Sequence, residues 1–411
     1  MISYLSENTN NMIRNVIVSL AIIGCIGCQN ARRQEDHTKN DECAAGTFGY
    51  DLKFLKEKDD VKVLAFGDAR VIVSPKYQGK VFTSTAEGTT GQSFGWVNYS
   101  AFDKQDPHMN AYGGENRLWL GPEGNRFSLF FKPGTEMTFA NWFTPPPIDT
   151  ESWNVEEQSE TAIRMSKEMQ LTNYTGTQFS IHIDRMVRIL EPDKIQDMLG
   201  VTFPEDVKNV GYTTINTIQN AGEKVWTRES GAPCLWVLDM FNPSSSTWII
   251  VPFRKDVSGK IVTSDYFGEV SEDRLQIRDS IILFKADGQS RGKIGISPHR
   301  ARPLAGSFDP ENNILTVVTF DVDPNAVYLN QEWTTEKDAF AGDAVNAYND
   351  GPLEDGSQMG PFYELESVSP AAYLKPGESL THNHSVFHFT GPGTELRGML
   401  KTLFGFEMPS E

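Results

Sequence analysis

Two short stretches near the C-terminus place ionisable side chains two residues apart. Glu364 and Glu366 are separated by one residue, as are His382 and His384, and His388 follows four residues later. Because a β-strand turns residues i and i+2 to the same face, the two carboxylates should share one face and the histidines should share another. Carboxylates and imidazoles can exchange protons with a substrate near neutral pH, so the pattern indicates acid–base chemistry.

These two stretches are expected to be strands joined by a turn at Pro376-Gly377. Two other interpretations of the histidines stay open. They could belong to a partly exposed edge strand without a metal, or their spacing of two and four residues could ligate zinc. The acidic run Asp350, Glu354 and Asp355 offers oxygen ligands of the kind that calcium prefers, although it lacks the spacing of an EF-hand loop.

A glycine-rich segment, residues 112–126, and a later stretch, residues 234–256, combine polar and aromatic side chains. Glycine allows close approach of the backbone to a ligand, while Arg, Asn, Glu and Trp recognise sugars through hydrogen bonds and ring stacking. The alternatives are a turn with surface charges for the first segment and core packing for the tryptophans. The candidate ligand-binding residues are Asn116, Arg117, Trp119, Glu123, Trp236 and Arg254.

The rest of the chain favours an all-β fold. From Phe48 onward, short alternating runs are separated by Gly, Asp and Pro, and residues 191–201 form the best candidate for a short helix. We find neither a βαβ alternation nor a repeat, which predicts a large antiparallel sandwich. The 411 residues carry a net charge of −18. That charge argues against binding of nucleic acid or of anionic membranes.

The N-terminus has the pattern of a bacterial lipoprotein. A short basic region and an apolar run end in a lipobox-like sequence, which predicts a signal peptide over residues 1–28 and lipidation of Cys25 (or Cys28). An ordinary secretion signal or a single membrane anchor is the alternative. We expect a flexible tether at 29–46, a single domain at 47–408, and a location in the bacterial cell envelope, with membrane contact through the lipid anchor only.

Four motifs near the C-terminus resemble the closing segment of the galactose mutarotase-like (aldose 1-epimerase) family. They are Leu365-Glu366-Ser367, Ser369-Pro370-Ala371-Ala372, Leu374-Lys375-Pro376-Gly377-Glu378 and Val386-Phe387-His388-Phe389. The resemblance implies a β-supersandwich with a sugar-binding groove, with Glu366 as the catalytic base. Asn116-Arg117 is similar to the family segment whose arginine contacts the substrate. The whole chain looks like a Bacteroidetes-type lipoprotein branch with this fold, within or beside polysaccharide-use systems.

The expected function is therefore carbohydrate binding, with epimerase-like, lyase or hydrolase chemistry at the same groove. Glu366 would remove a proton from the sugar, and His382 or His384 would supply the acid. The main alternative is a non-catalytic glycan-binding module, and a third is a structural surface protein without a ligand. We expect a monomer that needs neither a cofactor nor a metal.

Overall fold

The computed structural model describes residues 44–408. The predicted signal peptide, both candidate lipidated cysteines and most of the predicted tether lie outside the described residues. Eighteen β-strands and three α-helices form in the described part of the chain, and every strand pair in the sheets is antiparallel. None of these helices is long and apolar enough to cross a membrane. The prediction of an all-β antiparallel fold is confirmed.

The largest sheet has ten strands. In spatial order they are β11 (Leu275–Arg278), β12 (Ile281–Lys285), β10 (Trp248–Pro252), β14 (Leu304–Asp309), β15 (Ile314–Phe320), β18 (Ser379–Thr390), β8 (Lys208–Asn220), β7 (Gln178–Ile189), β6 (Ala162–Thr172) and β5 (Asn154–Gln158).

Two smaller sheets and three helices complete the fold. The five-stranded sheet contains, in spatial order, β13 (Gly292–Ile296), β16 (Val345–Asn349), β17 (Tyr363–Val368), β9 (Cys234–Phe241) and β4 (Arg117–Gly121). The three-stranded sheet contains β1 (Lys62–Phe66), β2 (Ala69–Ser74) and β3 (Lys80–Thr85). The helices are α1 (Phe48–Lys58), α2 (Pro192–Leu199) and α3 (Gly393–Phe404).

The main hydrophobic core joins the five-stranded sheet to one face of the ten-stranded sheet. Leu118, Val237 and Leu365 alternate with the residues of the opposite face and are buried in this core. The other face of the ten-stranded sheet packs against α2 and α3, where Phe387 and Phe389 meet a second cluster of apolar side chains. Because the inner face of the five-stranded sheet is packed against the ten-stranded sheet, its other face is available for a functional site.

β17 and β18 do not form the expected hairpin, because they belong to different sheets. The ten residues between them cross from the small sheet to the large one, a connection longer than the two to five residues typical of hairpin loops. Main-chain hydrogen bonds from Ser369 to Leu235 and from Ala372 to Pro233 hold the crossing segment in place. The Pro-Gly turn therefore precedes β18 without joining it to β17 as a neighbour.

Helix α1 replaces the β-structure that was expected from Phe48 onward. Phe48 and Leu55 are both buried, and their spacing of seven residues corresponds to two helical turns. Thr47 caps the first turn by accepting a hydrogen bond from the backbone of Tyr50, and Asp51 lies in that turn. The helix predicted at residues 191–201 is confirmed as α2, and strands follow from Lys62 onward as expected.

Candidate functional site

The outer face of the five-stranded sheet carries polar and aromatic side chains from all five strands. Arg117 and Glu366 both pair with Leu238, one on each side of β9, so their backbones are two strand spacings, about 10 Å, apart. In the same way, the pairing of β13 with β16 and of β16 with β17 places Lys293, Tyr348 and Glu364 in a row across the sheet. The residues of this face include Lys293, Tyr348, Glu364, Glu366, Trp236, Leu238, Arg117 and Trp119.

A cavity of about 500 Å³ lies over this face. Its volume falls within the range of small-molecule pockets, roughly 300–1,000 Å³. The floor comes from the sheet, and the walls come from the loop residues 98–111 and from segments near residues 139–142, 333 and 358–362. The cavity therefore joins sheet residues, which are held rigidly, to loop residues, which vary more readily among related chains.

Aromatic rings form one wall of the cavity. Trp142 stacks on Phe139 at 6.1 Å and on Trp333 at 5.8 Å between ring centroids, with interplanar angles of 20° and 24°. Trp119 and Trp236 meet edge to face at 5.7 Å on the floor. Phe139 is 62% exposed, so part of this aromatic wall faces solvent at the mouth of the cavity.

Two ion pairs lie on the floor. Arg117 donates to Glu364 at 2.7 Å, and Lys293 donates to Glu366 at 2.9 Å. The indole N–H of Trp236 donates to the same oxygen of Glu366, Oε2, at 2.8 Å. The other oxygen, Oε1, is buried and has no hydrogen-bond partner among the described residues. Glu366 therefore lies directly beneath the cavity, attached to two residues that line it.

Burial raises the pKa of two carboxyl groups that line the cavity, those of Glu364 and Glu123. The pKa of Glu364 is raised to about 7, because burial raises it strongly, the positive charge of Arg117 opposes this effect in part, and the negative charge of Glu366 adds to it. Burial also raises the pKa of Glu123, which lines the same cavity. A fraction of Glu364 therefore carries a proton near neutral pH, which is the condition for a carboxyl group to act as an acid there.

The structure brings together several residues that the sequence selected. Arg117, Trp119, Glu123 and Trp236 line one cavity, and Glu366 lies beneath it. Two other candidates lie elsewhere and do not line the cavity. Asn116 points to the inner side of the sheet, where it donates to Asp239 at 2.6 Å, and Arg254 lies in the loop after β10, where its backbone pairs with Arg300.

The predicted catalytic histidines lie on the opposite side of the five-stranded sheet from the cavity. Ser367 accepts or donates hydrogen bonds at 2.8 Å with both His382 and His384. The side chain of Ser367 points away from that of Glu366, because the side chains of consecutive strand residues point to opposite faces. His384 also pairs with Asp239 at 2.7 Å. These side chains are buried between the five-stranded and the ten-stranded sheet, and neither histidine lines the cavity.

The alternative of a partly exposed edge strand is wrong for the histidines. β18 lies inside the ten-stranded sheet between β15 and β8, and His382, His384 and His388 are all at most 1% exposed. Burial, together with the smaller effect of the charge of His384, lowers the pKa of His382 to about 3. In the described part of the chain, no group of three or more His, Cys, Asp or Glu side chains is arranged to hold a metal ion.

A glycine turn orients the start of β4. Gly113 and Gly114 have φ angles of +79° and +120°. A Cβ atom on Gly113 would lie 2.3 Å from the carbonyl oxygen of Trp96, so a side chain does not fit there. The glycines of this segment therefore allow close approach of two backbone segments just before β4. Asn116 and Arg117 then point to opposite faces of the sheet because they are consecutive residues of an extended chain.

Many cavity residues were not selected from the sequence, and three of them carry groups that could contact a ligand. His108 lies in a loop, stacks between Phe139 and Phe143, and its Nδ1 donates to the carbonyl of Trp142 at 2.6 Å. This bond leaves Nε2 of the neutral ring as a hydrogen-bond acceptor. Lys293 and Arg291 are the other two. A lysine inside a short glycine- and isoleucine-containing strand could have been noticed, because lysine is rarely buried unless it is paired.

Comparison with known proteins identifies the family of the chain. The model of a family of unknown function, DUF6786, matches residues 46–410. The chain belongs to this family. No curated protein matches this DUF6786 chain.

Solved structures of low sequence identity resemble the DUF6786 chain. One is the Slr1438 protein of Synechocystis sp. PCC 6803, with 14% identity and a TM-score of 0.48 over 81% of this chain and 96% of that one. Another is a galactose mutarotase-like protein of Lactobacillus casei ATCC 334, with 8% identity and a TM-score of 0.45 over 80% of this chain and 99% of that one.

Proposed function

We propose that the cavity on the five-stranded sheet binds a carbohydrate. The observation that carries this proposal is the combination of stacked aromatic rings with two hydrogen-bonded ion pairs around one cavity of about 500 Å³. Sugar rings present apolar faces that pack against aromatic side chains, and hydroxyl groups that pair with charged and amide groups. The motif resemblance around Glu366 supports the same class of ligand.

Phe139 offers a direct test because it is exposed at the cavity mouth. Mono- and disaccharides are screened by thermal shift, and a ligand that binds only the native state raises the melting temperature. We expect Phe139→Ser to weaken the affinity of the best sugar roughly threefold to tenfold, since an aromatic contact contributes about 0.5–1.5 kcal/mol.

Phe66 is the matched control, because it is exposed but lies in a different part of the fold. Phe66→Ser should leave the sugar affinity unchanged. If no sugar stabilises the wild-type protein, or if both serine variants behave alike, the cavity is not the carbohydrate site.

We further propose acid–base chemistry on the bound sugar, with Glu366 as the base and Glu364 as the acid. Glu366 would take the proton of the anomeric hydroxyl through Oε1, which has no partner among the described residues. Glu364 would protonate the ring oxygen as the bond between that oxygen and the anomeric carbon breaks, which gives the open-chain aldehyde. Rotation about the bond between C1 and C2, followed by ring closure with both proton transfers reversed, would give the other anomer. Glu364 replaces His382 and His384 in the acid role because both histidines lie on the opposite side of the five-stranded sheet, where they bond to Ser367.

The variant Glu366→Gln separates this enzyme from a non-catalytic binding module. The amide keeps the shape of the side chain and cannot accept the proton in the same way. We expect mutarotation of the best-binding sugar, followed by NMR or polarimetry, to fall at least about 100-fold. Binding of that sugar should persist. A wild-type protein that binds sugars without any turnover would support the binding module instead.

A further inference from the structure

The residues that line the cavity differ in charge from the chain as a whole. The chain carries a net charge of −18. The cavity lining has four basic side chains and three acidic ones, and burial raises the pKa of two of the acidic groups, Glu123 and Glu364. The basic residues are Lys104, Arg117, Arg291 and Lys293, and the acidic ones are Asp106, Glu123 and Glu364. The cavity is thus less negative than the rest of this acidic protein.

Among the described residues, two of the four cations have no ion-pair partner. Arg117 and Lys293 pair with Glu364 and Glu366 on the floor. Arg291, like Lys104, forms no salt bridge with any residue in the described range 44–408. An anionic ligand would therefore meet a positive group that the protein has not already neutralised.

Arg291 is held in a defined position at the cavity. It precedes β13 and lies two residues from Lys293, and its guanidinium stacks on the ring of Phe267 at 3.9 Å. The carboxylate of Asp350, which is close in sequence to the strand that pairs with β13, bonds to other groups. It accepts hydrogen bonds from the hydroxyl of Tyr348 at 2.8 Å and from the backbone N–H of Gly360 at 3.1 Å. A guanidinium that stacks through its face keeps its N–H edge available for two parallel bonds to a carboxylate or a sulfate.

We propose that the ligand is an acidic sugar whose carboxylate or sulfate group binds Arg291 at the wall of the cavity. This inference rests on the proposed carbohydrate site and adds a substrate class to it. The aromatic wall and the floor residues would contact the sugar ring and its hydroxyl groups. Arg291 would select for the negatively charged group. Lys104 would add attraction at longer range, which depends on ionic strength.

The experiment measures dissociation constants by calorimetry at low salt for three matched probes in each of two sugar series. The probes are glucose, glucuronate and glucose 6-sulfate, and galactose, galacturonate and galactose 6-sulfate. Wild-type protein should bind at least one acidic probe about tenfold or more tighter than its neutral counterpart, as charge-assisted hydrogen bonds allow. The uronate and sulfate arms show which anion is preferred. Arg291→Gln should reduce the ratio severalfold, and Lys104 would account for the preference that remains.

Arg228 provides the matched control. It stacks on Phe340 at 3.7 Å in the same manner but does not line the cavity, so Arg228→Gln should leave the ratio of affinities unchanged. Equal binding of neutral and acidic probes by the wild-type protein, or an unchanged ratio in Arg291→Gln, would overturn the acidic-sugar inference alone. Absence of binding by every probe would overturn both this inference and the carbohydrate site.

Discussion

At the scale of single residues, the pair of glutamates on β17 is the centre of the site. Glu364 lines the cavity and pairs with Arg117, whereas Glu366 lies beneath it and accepts hydrogen bonds from Lys293 and Trp236. The two carboxylates share one face of one strand and have different partners. Such a difference allows one carboxyl group to hold a proton while its neighbour accepts one.

The raised pKa of Glu364 predicts a pH-dependent contribution to stability. Between pH 4.5 and about 7 the unfolded chain releases the proton of this side chain while the folded chain keeps it. The stabilising contribution is therefore complete below pH 4.5 and is lost as the pH rises through about 7. We expect the free energy of unfolding of the wild type, relative to Glu364→Gln, to fall by about 2–3 kcal/mol between pH 5 and pH 8.5.

Urea unfolding at the two pH values measures this difference. The glutamine side chain of the variant does not titrate, so subtraction of the variant removes the pH dependence of all other groups. The constant cost of leaving Arg117 without its carboxylate partner also cancels in the comparison. A difference that is the same at both pH values would contradict the assignment of the raised pKa to Glu364.

Several residue-level features could be predicted from the sequence. Period-two spacing correctly placed Glu364 and Glu366 on one face, and the clustering of Arg117, Trp119 and Glu123 among glycines pointed to residues that share a cavity. Spacing within a strand does not reveal which of two faces is the inner one. Asn116 and the histidines were therefore selected for a face that turns out to be packed between sheets.

At the scale of elements, the position of β17 and β18 in different sheets decides the role of the histidines. Sequence adjacency suggested that the two strands are neighbours, but a ten-residue crossing segment separates them. His384 consequently meets the inner face of the small sheet through Ser367 and Asp239. Sheet membership depends on contacts between distant parts of the chain, such as the pairing of β17 with β9, which local patterns do not encode.

A substitution in helix α3 can test how this helix packs against the ten-stranded sheet. Leu400 is fully buried there with Phe387 and Phe389. We expect Leu400→Ala to lower the free energy of unfolding by about 2–5 kcal/mol, because it removes apolar contacts and leaves a cavity. Denaturant unfolding measures the loss. Thr402→Ala on the exposed side of the same helix should change stability by less than about 0.5 kcal/mol, and equal effects of the two substitutions would contradict this packing.

At the scale of the whole molecule, the chain combines an acidic surface, a β-sandwich and the predicted N-terminal lipid anchor. We propose that the protein is a monomer attached to the bacterial cell envelope through a lipid on Cys25, with the sandwich carried on a tether. The composition and strand pattern were sufficient to predict the all-β class. They were insufficient for α1 and α3, since short amphipathic helices at the ends of a β-rich chain are stabilised mainly by tertiary packing.

The lipid anchor can be tested by expression of the full chain in a bacterial host with labelled palmitate. Cys25→Ala should abolish the label and move the protein from the membrane fraction to the released fraction, because alanine has no thiol to which the lipid can be attached. Cys28→Ala is the matched control and should remain labelled. Label that survives Cys25→Ala but is lost in Cys28→Ala would move the anchor to the second cysteine, and an unlabelled wild type would refute the lipoprotein prediction.

A crystal structure of the protein with its best-binding sugar would show whether the cavity on the five-stranded sheet is the carbohydrate site. We predict that a sugar ring lies within about 4 Å of the aromatic wall formed by Phe139, Trp142 and Trp333. Its hydroxyl groups should bond to Arg117 or Glu364 on the floor. A sugar bound to any other face of the molecule, with the cavity on the five-stranded sheet unoccupied, would contradict the account.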